Sequence, residues 1–71
     1  MKHRMIVLNR DGDFSVEWDP KTQGEIDRAT VQFESFRKRG YVAFPFKGGA
    51  RLDTFDPTQQ EIVMIPRLVG G

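Results

Sequence analysis

An α+β domain with one helix packed on a mixed sheet is the fold class that this 71-residue sequence predicts, and three observations predict it. Two short apolar runs, Met5-Ile6-Val7-Leu8 near the start and Ile62-Val63-Met64-Ile65 near the end, have the length and β-branched content of buried strands. Between them Ile26, Ala29, Phe33 and Phe36 recur at steps of three and four, the stripe of a single amphipathic helix. Asp11-Gly12 separates the first apolar run from an alternating segment, which marks a hairpin.

Taken in order, Met5 to Leu8 is expected to be a strand largely buried on both faces. Asp-Gly suits a two-residue inverse turn, which needs positive φ at both central positions. Phe14, Val16 and Trp18 then alternate with Ser15 and Glu17, placing three large side chains on one inner face. Asp19-Pro20 ends that strand. Pro20 suits a first helical turn with Asp19 as its cap, and Thr22-Gln23-Gly24-Glu25 offers a second start with the spacing of a capping box. Gly40 supplies the left-handed residue that ends the helix, and Tyr41 is expected to pack back on Phe36.

Val42, Phe44 and Phe46 alternate with Tyr41, Ala43 and Pro45 as a third strand, which Pro45 assigns to a sheet edge or turns outward. Lys47-Gly48-Gly49-Ala50-Arg51 reads as a surface turn, because a phosphate-cradling loop ends in Gly-Lys-Ser or Gly-Lys-Thr. Leu52 to Phe55 is expected to form a short fourth strand and Asp56-Pro57 a turn. Ile62 to Ile65 is then the last strand, with the continuous apolar run that paired central strands carry.

Composition narrows the function classes. Eleven basic and 10 acidic residues leave a net charge of +1, so no basic face recruits nucleic acid. The chain has no cysteine, hence no disulfide, thiolate metal site or cysteine nucleophile. Met5 to Leu8, after a basic start, is too short for a signal-peptide core or a membrane span, and a cytoplasmic protein is expected. His3 is the single histidine and reads as a solvated side chain near a loose terminus. Asp11 and Asp13 lack the further oxygen ligands of a calcium loop. Ser15 and Ser35 have no base in recognisable reach, and Asp53 and Asp56 read as turn formers. No enzyme activity, bound cofactor or metal site is expected of the chain itself.

The functional signal lies in the tail, Pro66-Arg67-Leu68-Val69-Gly70-Gly71. Pro66 cannot extend a strand ladder and divides a folded body, 1–66, from a flexible diglycine tail, 67–71. Glycine lacks a Cβ, so a Gly-Gly end bearing a free carboxylate fits a narrow channel in another protein's active site. Arg67-Leu68-Val69-Gly70-Gly71 resembles the Arg-Leu-Arg-Gly-Gly end of the ubiquitin family, with Val69 in place of an arginine. The same tail is similar to the Pro-Pro-Val-Ala-Gly-Gly end of molybdopterin-synthase sulfur carriers, with Arg67 in place of the second proline. Both families have the β-grasp fold, whose order of hairpin, helix and later strands this body follows. The segment from Phe46 to Glu61 is shorter than in ubiquitin, and no equivalent of its second short helix is identifiable.

The resemblance implies a prokaryotic-style ubiquitin-like modifier. An activating enzyme with adenylyltransferase chemistry would use ATP to adenylate Gly71, with Gly70 its slim neighbour and Arg67, Leu68 and Val69 recognised by that enzyme. The carboxylate would end as an isopeptide bond to a target lysine, with a conjugating enzyme and a metal-dependent peptidase as further partners. Two alternatives stand beside this: a sulfur carrier ending in a thiocarboxylate, and a non-covalent interaction module whose Gly-Gly is incidental. Lys2, Lys21, Lys38 and Lys47 are the candidates for chain building. Phe33, Phe36 and Trp18 are assigned to the core. A partner surface is expected on the exposed sheet face, with Tyr41 or Leu68 standing out.

Overall fold

The first two strands, β1 (His3–Val7) and β2 (Phe14–Trp18), pair antiparallel with His3 opposite Trp18 and Val7 opposite Phe14. Residues 2–66 are those described by the computed structural model. The turn between the strands differs from the expected two-residue type. Gly12 alone has positive φ, at 129°, and the Gly12 amide donates to the Asn9 carbonyl at 3.2 Å. Asp11 therefore stays in ordinary backbone space, and the tight bend is an Asn9–Gly12 turn within a longer connection.

The helix α1 (Gln23–Lys38) starts at the second of the two expected positions, with Thr22 as its extended cap residue. The Thr22 side chain makes no cap bond. Glu25 reaches back instead, and its Oε1 accepts the Asp19 amide at 2.9 Å. Asp19 is not the helix cap: its Oδ1 accepts the Lys21 amide, a local turn that keeps Pro20 outside the helix. The C-terminal end matches expectation in full. Gly40 has φ of 94°, Gly40 N–H donates to Arg37, and Tyr41 N–H donates to Phe36 at 3.1 Å, the paired bonds of a Schellman ending.

The third strand, β3 (Val42–Pro45), and the last, β4 (Glu61–Ile65), complete a mixed sheet ordered β2-β1-β4-β3. β4 lies at the centre, parallel to β1 and antiparallel to β3, which sits at the sheet edge as Pro45 required. This is a β-grasp-like layout of one helix on a four-stranded sheet. The expected fourth strand over Leu52 to Phe55 is absent among the described residues. Leu52 alone bridges Ala43, donating its amide to the Ala43 carbonyl at 2.8 Å. Phe55 then turns inward, meeting Trp18 at 4.8 Å and Phe33 at 5.6 Å between ring centroids.

The core lies between the helix and one sheet face. Met5, Val7, Trp18, Ala29, Phe33, Ala43, Ile62 and Met64 are fully buried, with Val16, Ile26, Phe36, Tyr41, Leu52 and Phe55 packed against them. One expectation is corrected here. The central strands are buried on one face only, because the one helix covers one face and Ile6, Val63 and Ile65 alternate to the other. In β3 the inward residue is Ala43, and Val42 and Phe44 take the opposite face. Tyr41 packing on Phe36 fixes this phase, since side chains alternate along a strand.

Candidate functional site

The expected site residues Arg67, Leu68, Val69, Gly70 and Gly71, and with them the tail expected over 67–71, lie outside the described residues. What the structure defines is the point from which that tail departs. Ile65 ends β4 opposite Val42 at the start of β3, and exposed Pro66 follows. Because β4 runs parallel to β1, it leaves the sheet at the same end as Leu8, whose amide donates to the Met64 carbonyl. The C-terminal end of α1 reaches this end too: Phe36 stacks against Phe14 at 5.8 Å and Tyr41 at 5.2 Å. Strand exit, helix end and the β2 start thus converge.

Two surfaces border the exit. The first is the sheet face away from the helix. Register aligns Ser15, Ile6, Val63 and Phe44 in one row across all four strands. Val42 and Ile65 form the next row toward the exit, and Leu8 is exposed beyond them. At the far end Arg4 lies between Glu17 and Glu61, and its guanidinium meets Glu61 Oε2 at 2.9 Å. No element among the described residues covers this apolar face. An apolar, partly exposed sheet face bounded by charges has the make-up of a protein-binding surface. Tyr41, expected to stand out on this face, sits instead on the core side with Phe36, and Leu68, the other residue expected there, lies outside the described residues.

The second surface is basic and was not anticipated. Arg37 in the last helical turn and Arg51 beyond β3 both approach Asp53 Oδ1, at 3.8 and 3.3 Å, and with Gly40, Tyr41 and Val42 they line a cleft beside the exit. Its sequence signal was the run Arg37-Lys38-Arg39 at a helix end, but nothing in spacing announced that Arg51 joins it. Asp53 is therefore an ion-pair partner, whereas Asp56 is the turn former expected: its carboxylate accepts the Thr58 hydroxyl at 2.6 Å and the Thr58 amide at 3.0 Å. Those donors hold the Asp56 carboxyl below its ordinary pKa of 3.8, the Thr58 hydroxyl contributing most.

His3 is corrected from a loose, solvated side chain to a tied one. Its Nδ1 lies 3.1 Å from the Pro57 carbonyl, and its ring meets Trp18 edge-on at 5.9 Å. Among the described residues no group of three His, Cys, Asp or Glu side chains is placed to hold a metal ion, and no helix is long and apolar enough to cross a membrane. The four candidate lysines are all exposed, and Lys2 pairs with Glu25 at 3.3 Å. No protein-family model, no curated protein and no solved structure matches this chain.

Proposed function

We propose that this chain is a ubiquitin-like protein modifier whose Gly71 carboxylate is adenylated by an activating enzyme and conjugated to a target amine. The observation that carries the reading is the conjunction of a β-grasp-like sheet with Pro66-Arg67-Leu68-Val69-Gly70-Gly71 following its central strand. A central strand paired on both sides anchors whatever follows it, and two consecutive glycines let backbone pass where a side chain would block. The partly exposed apolar sheet face supplies a surface by which an activating or conjugating enzyme grips the folded body.

The chemistry asked of the tail is simple. The carboxylate attacks the α-phosphorus of ATP and pyrophosphate leaves; a thiol of the activating enzyme displaces AMP; a lysine amine displaces the thiol to give an amide. If the outer sulfur of a persulfide displaces AMP instead, an acyl disulfide forms, and a thiol that cleaves its S–S bond releases a thiocarboxylate and leaves a disulfide, the sulfur-carrier reading. Intact mass spectrometry of protein recovered from its native host, beside a deletion of Gly70 and Gly71, separates these. Higher-mass conjugates linked through Gly71 to lysine, absent from the deletion, are the expected result. A single species heavier by about 16 Da, the exchange of oxygen for sulfur, would establish the carrier instead. Unmodified protein throughout would overturn both.

A further inference from the structure

The C-terminal end of α1 carries Arg37, Lys38 and Arg39, and the segment after β3 brings Arg51 beside the first of them. Cations at a helix C-terminus are favoured by the carbonyl end of the helix, which accounts for Arg37 and Lys38 but not for Arg51. The two guanidiniums converge on one oxygen, Asp53 Oδ1, at 3.8 and 3.3 Å. Asp53 is 68% exposed while Arg37 is 29% exposed, so the carboxylate is the loose member and the arginine the seated one. Arg39 is held too, its guanidinium 5.5 Å from the centre of the Phe36 ring.

We infer that this cleft is the docking point for an acidic peptide segment of a partner protein, with Asp53 occupying in the free molecule the place of the partner's carboxylate. One carboxylate between two arginines leaves a positive charge uncompensated. Exposed ion pairs of this kind contribute little, so an incoming carboxylate displaces Asp53 at small cost. Arginine's planar fork suits it to carboxylates, and two forks on one site select a segment with neighbouring acidic side chains. The walls decide what carries those charges. Tyr41 and Val42 line the cleft, giving apolar contact that a peptide uses and an inorganic anion does not. The basic surface is confined to one end of a molecule of net charge +1, too little for a nucleic-acid backbone. This docking does not depend on conjugation through Gly71.

The test is fluorescence anisotropy of a fluorescein-labelled hexaglutamate peptide titrated with the full chain at low salt. Saturable binding is expected, weakened about tenfold by Arg51→Glu and strengthened about threefold by Asp53→Asn, which removes the competing charge. Lys21→Glu makes the same change in net charge elsewhere on the surface and is expected to leave binding within about twofold. Deleting Gly70 and Gly71 is expected to leave it unchanged, which separates this site from the tail. Absent binding, an equal loss in Lys21→Glu and Arg51→Glu, or a peptide displaced equally well by inorganic phosphate at the same charge concentration would each overturn the proposal. Arg51 is largely exposed, so its variant folds; an unchanged thermal melt verifies this.

Discussion

Asp56 illustrates how a single side chain holds a stretch that has no ladder. Its carboxylate accepts the Thr58 hydroxyl and amide and the Gln59 side-chain amide, closing the turn ahead of β4. Because these donors favour the charged form, the folded pKa is lowered, and the stability they give is present above the ordinary value of 3.8. It is lost as pH falls from there through the folded value. Asp56→Asn is therefore expected to cost at most about 1 kcal/mol at neutral pH, with the gap to the parent protein closing in acid. Urea unfolding of both proteins from pH 7 down to the acid limit reads this, and a gap independent of pH would sink the assignment. The same scale shows what a residue pattern conceals. Val42, Phe44 and Phe46 look like an inner face because they are large, yet Ala43 is the buried one. Both faces of β3 are apolar, so size gives no phase; only Tyr41, already committed to Phe36, sets it.

At the level of elements, starts and stops were legible wherever a backbone requirement produced them. Gly40 had to be left-handed for the helix to close, and the stripe Ile26, Ala29, Phe33, Phe36 had to face the sheet. The strands that pair at the centre were legible from their apolar runs, and so was the edge position of β3 from Pro45. The segment Leu52 to Phe55 was not, because one bridge and an inward phenylalanine leave the same apolar trace as a strand. The helix start offers a sharp test. Thr22 has the cap residue's extended backbone but no side-chain cap bond, while Glu25 accepts the Asp19 amide and pairs with Lys2. Glu25→Ala is expected to lower stability by about 1 kcal/mol, and Thr22→Ala by less than about 0.5 kcal/mol. Thermal unfolding of the two variants checks the order, and a larger loss from Thr22→Ala would contradict it.

The whole molecule has two ends with separate duties. At the exit end lie Val42, Ile65, the end of α1 and the arginine cleft; at the other Trp18 ties three segments together. Its ring is fully buried, it meets Phe55 and His3, and its indole N–H donates to the Pro57 carbonyl at 3.0 Å. The loop between β3 and β4 has no ladder of its own beyond the Leu52 bridge, so this anchor determines whether β4 is delivered to the centre of the sheet. Removing a buried aromatic ring costs about 3–5 kcal/mol, and a chain of this size holds only roughly 4–10 kcal/mol in all. Trp18→Ala is accordingly expected to leave most of the population unfolded at physiological temperature. Trp18→Phe keeps the ring contacts and loses the donor, leaving His3 as the side chain on the Pro57 carbonyl, and is expected to cost about 1–2 kcal/mol. Because the change lies at the end opposite the arginine cleft, peptide binding by folded Trp18→Phe should match the parent while its urea midpoint falls. Loss of both together would mean that the two ends of the sheet are coupled, and that the exit end is set by the whole core rather than by the elements that border it.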